Sequence, residues 1–154
     1  MKIIVFHIFI IILFIGCSKK TQSSESVNNS TKSKIEGSWK LVYADIKEND
    51  SLQIKDLSNT DFIKIINADH FAFFNQKRGS SDEFMAGGGT YTFNGSDYTE
   101  TLNFINAPSY RGHEFPFKVE IKGDSLIQQG HEKIEAAGLD RFILEKYIRI
   151  NTKN

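Results

Sequence analysis

The sequence contains almost no cysteine or proline and carries no net charge. Of its 154 residues one is cysteine and two are proline, and 19 basic side chains balance 19 acidic ones. Because the charges balance, there is no overall attraction to nucleic acid, and we expect no nucleic-acid partner. Aromatic residues are plentiful, since 13 phenylalanines, five tyrosines and one tryptophan can supply the core of one folded domain.

Motifs of common catalytic and metal sites are also missing. The three glycines at 87–89 precede Thr-Tyr-Thr-Phe, which has no lysine and predicts a strand, so they do not form a phosphate-binding loop. The Gly-x-Ser-x-Gly elbow of serine hydrolases is absent. His70, His113 and His131 lie at separate predicted strand ends, without the spacing of metal ligands. We therefore expect no metal ion, no cofactor and no motif-defined catalytic residue.

The N-terminus carries one long apolar run. Residues 3–15 are almost entirely apolar, but the run is shorter than the roughly 20 residues that span a bilayer. It therefore predicts a signal peptide over residues 1–16 rather than a membrane helix. The following tetrapeptide FIGC resembles the bacterial lipobox, in which the cysteine, here Cys17, is lipidated and becomes the first mature residue. Phe14 stands where that pattern usually has leucine, and a plain secretory signal is the alternative.

Residues 17–34 predict a flexible tether that begins at the lipidated cysteine. The segment is rich in Ser, Thr, Asn and Lys, and Val27 is the only apolar residue after Cys17, too little to offset the entropy of ordering. Residues 35–154 are then the folded domain. An acyl chain such as palmitate contributes about 0.8 kcal/mol per buried methylene group, enough for several chains to hold the domain at a membrane. We expect a lipoprotein of the bacterial cell envelope, with its domain outside the cytoplasm.

Apolar residues alternate along most of the domain. Trp39, Leu41 and Tyr43, for example, are separated by single residues in a way that puts all three on one face of a strand. The same alternation predicts eight strands, each with one buried face, at residues 38–47, 62–67, 70–76, 89–94, 97–106, 113–122, 125–131 and 142–150.

Short strands joined by hairpins predict an all-β, antiparallel fold. The pairs Asn-Gly at 94–95 and Gly-Asp at 123–124 suit tight hairpin turns. About eight strands can close into an up-and-down β-barrel, which leaves no exposed edge, and a two-sheet sandwich is the competing architecture. At most one short helix is expected, at 54–60 or 132–137, and either segment could equally be a loop. The glycines at 87–89 suit a bulge or close backbone packing.

Segments of the chain resemble a known family. Gly37 and Trp39 form the Gly-x-Trp pattern that opens the first strand of lipocalins and related calycin barrels. The segments GGGTY and YTE, within residues 87–100, and EKYIR at 145–149 are similar in order to an uncharacterised group of bacterial lipocalin-like lipoproteins. The resemblance implies a lipocalin-like barrel of eight strands that can enclose a cavity, and no assigned reaction. It also implies that Arg149 packs over Trp39 at the closed end of the barrel, as a structural contact.

Glu100 is the most unusual residue in the predicted strands. In residues 97–106, the more apolar face carries Tyr98, Glu100, Leu102 and Phe104. A buried carboxylate is costly unless it is paired. Glu100 is therefore either a polar group in an aromatic pocket, or it lies near the rim, is solvated, or pairs with an arginine such as Arg78 or Arg111.

These residues favour binding over catalysis. We expect a small hydrophobic or amphipathic ligand, held among Tyr43, Phe73, Tyr91, Phe93, Tyr98, Glu100 and Phe117. The same aromatic residues could instead fill a small barrel, and the alternative is a packed domain that docks a protein partner in the envelope. A third hypothesis is a weak acid or base role for Glu100. The interior distinguishes these hypotheses, because a cavity above about 300 Å³ can accept a ligand.

The lipid anchor can be tested with Cys17→Ala. The change removes the only thiol of the chain, so we expect the variant to incorporate no palmitate when cells are labelled with an alkyne analogue of the fatty acid. Ser18→Ala, one residue along, is the control and should label like the wild type. Labelling of the Cys17→Ala protein would contradict the lipoprotein hypothesis.

Overall fold

The computed structural model describes residues 34–81 and 83–151. The predicted signal peptide, the predicted lipid-attachment residue Cys17 and the tether up to residue 33 lie outside these residues. Within the described ranges, no helix is long and apolar enough to cross a membrane.

Nine antiparallel strands make up about two thirds of the described residues. Eight of them correspond to the predicted strands, with bounds that differ by a few residues. The strands are β1 (Gly37–Glu48), β2 (Ser51–Ile54), β3 (Thr60–Ile66), β4 (His70–Lys77), β5 (Met85–Asn94), β6 (Asp97–Ile105), β7 (Glu114–Lys122), β8 (Ser125–Ile134) and β9 (Leu139–Arg149).

The sheet closes into a barrel because its first and last strands pair. From β3 to β9 each strand pairs with the next along the chain, and β1 pairs with both β3 and β9. The β1–β9 register runs from Trp39 opposite Arg149 to Lys47 opposite Phe142. The predicted all-β, antiparallel, up-and-down barrel of eight strands is therefore confirmed, and the sandwich is excluded.

Strand β2 is an addition to the barrel that the sequence did not predict. It pairs with β1 only, and all four of its residues are exposed, so the short alternation of its sequence, Ser-Leu-Gln-Ile, marks no buried face. Of the two segments considered for one short helix, residues 54–60 form none, whereas Glu135–Ala137, within the second segment, form a 3-10 turn. A second 3-10 turn, which was not predicted, covers Pro108–Tyr110.

One edge of β1 is shared between two partners. Its first residues, Gly37–Lys40, pair with β3, whereas the stretch from Asp45 to Glu48 pairs with β2. The chain that leaves β2 then lies against β1, because the Lys55 amide donates a 2.9 Å hydrogen bond to the Ala44 carbonyl. Lys55 is thereby held where β1 and β3 separate.

The N-terminal segment covers one end of the barrel. Trp39 is fully buried, its indole N–H donates to the Ile35 carbonyl at 2.9 Å, and the Arg149 guanidinium lies 4.0 Å from the centre of its ring. Arg149 also donates 2.6 Å hydrogen bonds to the carbonyls of Glu36 and Lys34. A cation over an indole face stabilises by about 0.5–2 kcal/mol, so this contact holds the closed end together.

Two irregularities in pairing change which side chains face inward. The first is a register shift in β1 between Leu41 and Tyr43. Leu41 and Ala44 are buried inside the barrel, whereas Tyr43 pairs with Lys146, whose ammonium lies 4.9 Å from the centre of its ring. This corrects the predicted inward position of Tyr43, which lies on the outer face.

The second irregularity involves the glycines before the second half of β5. Gly88 pairs with Phe104 and Gly89 pairs with Leu102, so Asn103 is the extra residue of a bulge. Phe104 consequently points outward and is 69% exposed, which corrects its predicted inward position. The backbones approach so closely that a Cβ on Gly89 would overlap the Thr101 carbonyl oxygen. The prediction that the glycines serve a bulge and close packing is confirmed.

Gly89→Ala should therefore destabilise the fold. We expect a loss of about 2 kcal/mol or more, because the added methyl group forces β5 away from β6. Urea unfolding followed by the fluorescence of the single tryptophan measures this loss. Thr92→Ala, at an exposed position of the same strand, is the control and should change stability by less than about 0.5 kcal/mol. Equal stability of the two variants would argue against the close approach.

Candidate functional site

The barrel interior contains a cavity of about 460 Å³. It lies toward the end opposite Trp39, and the connection between β6 and β7 contributes Asn106, Ala107 and Tyr110 to its lining. Asn106 and Met85 are both lining residues and exposed, so the cavity opens to solvent beside them. The interior is therefore not filled by its own side chains.

Three polar residues form the floor of the cavity. The Lys64 ammonium donates to Glu100 Oε1 at 2.6 Å and to Gln128 Oε1 at 2.9 Å. Lys64, Glu100 and Gln128 are only 3%, 7% and 2% exposed. They come from β3, β6 and β8, none of which is a neighbour of another in the sheet. The network therefore ties together strands that the backbone ladder does not connect directly.

Glu100 faces the cavity, as one of the two sequence-based interpretations required. Its partner is Lys64 rather than either arginine considered from the sequence. Arg78 instead forms an ion pair with Asp61, and Arg111 donates to the Ile105 carbonyl. Lys64 was not predicted as a site residue, although its position between Phe62 and Ile66 follows the inward alternation of β3.

Three aromatic rings also lie close to the buried ammonium. The Lys64 Nζ atom lies 5.6–5.8 Å from the ring centres of Phe71, Tyr98 and Tyr147. Such contacts favour a cation that has lost its water. Burying an ion pair is costly, and its geometry has to be good to offset that cost. The carboxylate, the amide oxygen and the three rings together provide that compensation.

Above the floor, the cavity has an apolar wall and a polar wall. Strands β4, β6 and β7 supply the apolar wall, which consists of Phe73, Leu102, Ile105, Phe115 and Phe117. The polar wall is formed by Lys55, after β2, and by residues of β8 and β9, namely Glu132, Arg141 and Glu145. Arg141 and Glu132 neutralise each other, since Nε of Arg141 donates to Oε2 of Glu132 at 2.6 Å.

Glu145 is a carboxylate in an unfavourable position. Its small exposed surface faces the cavity, and burial raises its pKa above the ordinary value of 4.5, although the charge of Lys64 opposes the rise. The Tyr147 hydroxyl donates to Glu145 Oε2 at 2.6 Å. Burial, followed by the nearby Glu145 charge, raises the pKa of Tyr147 well above its ordinary value. Tyr147 therefore stays a hydrogen-bond donor to Glu145.

Tyr91, Phe93 and Tyr98 were predicted to contact a ligand, but they lie in the packed core beneath the floor. The Tyr98 ring centre is 5.2 Å from that of Tyr91 and 6.2 Å from that of Phe93. None of the three is among the residues that line the cavity. These three residues fill the barrel, as in the alternative interpretation of the aromatic residues, because the Lys64 network closes the cavity above them.

The Tyr98 hydroxyl is the least satisfied polar group of this core. It is fully buried and has no hydrogen-bond partner among the described residues. Glu100, two residues along the strand, is a charged neighbour that does not reach hydrogen-bond geometry. Burial and then the Glu100 charge raise the pKa of Tyr98 well above its ordinary value, so the phenol keeps its proton.

Of the seven predicted ligand residues, Phe73, Glu100 and Phe117 line the cavity. The sequence missed Lys55, Lys64 and Glu145 because charged residues are rarely assigned to an interior. Over residues 34–81 and 83–151, no group of three or more His, Cys, Asp or Glu side chains is placed to hold a metal ion.

Comparison with known proteins finds no relative that could suggest a ligand for this cavity. No protein-family model matches the chain, and a search of curated proteins finds no match either.

The position of Glu145 predicts a pH-dependent cost to stability. Because its pKa is raised in the folded state, the carboxylate is ionised more readily in the unfolded chain. The cost is absent below the unfolded pKa and grows as the pH rises from there through the folded pKa. We expect Glu145→Gln to raise the melting temperature relative to the wild type at about pH 7, and to raise it less at about pH 4.

Thermal unfolding at the two pH values measures this difference. Glutamine keeps an oxygen that accepts from Tyr147, so the comparison isolates the charge. Glu120→Gln, on an exposed position of β7, is the control and should show a much smaller dependence on pH. A Glu145→Gln protein less stable at neutral pH than at acidic pH, relative to the wild type, would show that the carboxylate is well compensated.

Proposed function

We propose that this protein is a lipoprotein of the bacterial envelope, anchored through Cys17, whose barrel binds a small amphipathic ligand. The observation that carries the proposal is the cavity of about 460 Å³ with one apolar and one polar wall. Ligand pockets are typically concave, mostly apolar and supplied with a few placed polar groups. The cavity has these properties.

The two walls suit a ligand with an apolar part and a polar group. Contact with Phe73, Leu102 and Phe117 would remove apolar surface from water, which contributes about 25 cal/mol for each Å² buried. A purely apolar ligand would leave Lys55, Arg141 and Glu145 facing it without water, at a cost in free energy. A fully polar ligand would gain nothing from the opposite wall. The combination therefore favours an amphipathic molecule.

The floor supports binding rather than catalysis at Glu100. Glu100 Oε1 already accepts from Lys64, and Gln128 holds the same ammonium. This contact supports a structural role for the carboxylate. The lipocalin-like resemblance of the sequence is in line with a binding barrel, and the stacked Trp39 and Arg149 occupy the end at which that family closes.

The alternative is a domain that docks a protein partner through its outer surface. Phe104 and Phe74 are exposed on the outside, next to the glycines of β5. However, that hypothesis assumes a barrel filled by its own side chains, whereas this barrel contains a cavity. We therefore favour the ligand.

A variant with a filled cavity tests the proposal. Leu102→Trp adds an indole to the apolar wall, and Ala107→Trp, in the connection that lines the cavity, is a milder blockade should the first variant fail to fold. We expect single-chain amphiphiles to raise the melting temperature of the wild type and to give native mass spectra of a one-to-one complex. Neither variant should show this increase in melting temperature.

Thr92→Trp, on the exposed outer face of β5, is the matched control and should keep the full response. A wild-type protein that no amphiphile stabilises would count against the proposal. A shift retained in both blocked variants would place binding outside the barrel.

A further inference from the structure

The polar wall contains one cation without a partner. Lys64 is paired with Glu100, and Arg141 is paired with Glu132. Lys55 has no ion pair within the described ranges, and its Nζ atom lies 5.0 Å from the centre of the Phe62 ring. It is only partly exposed, and it lines the cavity. The cavity therefore presents a cation whose loss of water is not offset by a direct ion pair.

The backbone fixes Lys55 in this position. Its amide donates to Ala44 on β1, in the region where β1 has separated from β3. Phe62, the ring nearest to the ammonium, is in turn stacked on Phe73, with ring centres 5.7 Å apart and planes within 7°. The ammonium thus lies at the border between the polar wall and the apolar wall.

Glu145 is the other polar-wall residue without a strong ion pair, but it is better satisfied than Lys55. It accepts a 2.6 Å hydrogen bond from Tyr147 and feels the charge of Lys64. It can also take up a proton more easily than a solvated carboxylate, because burial raises its pKa. Burial lowers the pKa of Lys55, although the charge of Glu145 opposes this more than the positive Arg141 adds to it, and the nearest ring is that of Phe62. Among the described residues, Lys55 is therefore the lining cation that still lacks a direct anionic partner.

We propose that the ligand carries a carboxylate group that pairs with Lys55, while its apolar tail lies against Phe73, Leu102 and Phe117. This proposal rests on the proposed function, since it concerns the ligand of the same cavity. A carboxylate would supply the charge-assisted hydrogen bond that Lys55 lacks. Glu145, when protonated, would donate to the same group rather than repel it.

The head-group preference can be measured with three probes of the same chain length. Dodecanoate, dodecanol and dodecyltrimethylammonium differ only at the head, and each is titrated into the wild-type protein by calorimetry below its micellar concentration. We expect dodecanoate to bind about tenfold or more tightly than dodecanol, the usual effect of a hydrogen bond to a charged group. The cationic probe should bind most weakly.

Substitutions at Lys55 then assign the preference to one residue. Lys55→Met keeps an apolar stem of similar length and should weaken dodecanoate about tenfold while leaving dodecanol unchanged. Lys55→Arg keeps the charge and should restore most of the dodecanoate affinity. Lys146→Met is the matched control, because Lys146 is a lysine on the outer face, over Tyr43. It should bind all three probes like the wild type.

The outcomes separate this proposal from the proposed function. Equal binding of dodecanoate and dodecanol, or a dodecanoate affinity that Lys55→Met does not change, would overturn the role of Lys55 and leave the binding function intact. Binding of none of the three probes would overturn both. Tighter binding of the cationic probe would also overturn the carboxylate assignment and would make Glu145 the residue that selects the ligand.

Discussion

The hydrogen bonds from Lys64 to Glu100 and Gln128 determine the shape of the interior. Three polar side chains from three non-adjacent strands meet in the lumen. Below them the aromatic residues are packed against one another, and above them lies the cavity. Removal of one charged partner would leave the other buried and unpaired, which costs about 3–5 kcal/mol in other proteins. The site therefore depends on a contact that is also part of the core.

The same contact shows which features of the interior could be predicted from the sequence and which could not. Alternation located eight of the strands and the inward position of Glu100, and the hairpin turns between the strands predicted the antiparallel barrel. The same alternation in β3 includes Lys64, which lies between Phe62 and Ile66 on the inward face. A lysine at such a position is, however, normally assigned to the surface. Which cation approaches Glu100 depends on how β3 and β6 meet across the lumen. Residues 36 positions apart carry no local signal of that meeting.

Irregularities in strand pairing explain why some side-chain orientations were predicted wrongly. The bulges at Val42 and Asn103 each shift the alternation by one residue, so Tyr43 and Phe104 lie on the outer face rather than the expected inner one. The glycines at 87–89 signalled a bulge in β5, but not that the extra residue lies in β6. Lys55 was missed for a different reason, because it follows an exposed strand and reaches the cavity only where β1 leaves β3.

The closed end and the cavity mouth also have consequences for the proposed anchoring. The chain enters the domain at Lys34 and Ile35, over the closed end, whereas Asn106 lies at the opposite, open end. As a random coil, the predicted tether of 17 residues, from 18 to 34, would have a mean reach of about 20–25 Å. With Cys17 in a membrane, the end nearest to the lipid attachment is then the closed one. This arrangement favours uptake of a dispersed amphiphile from the aqueous side over extraction of a lipid from the bilayer. A charged head group fits that route, because it raises the solubility of the free ligand and finds its counter-charge at Lys55.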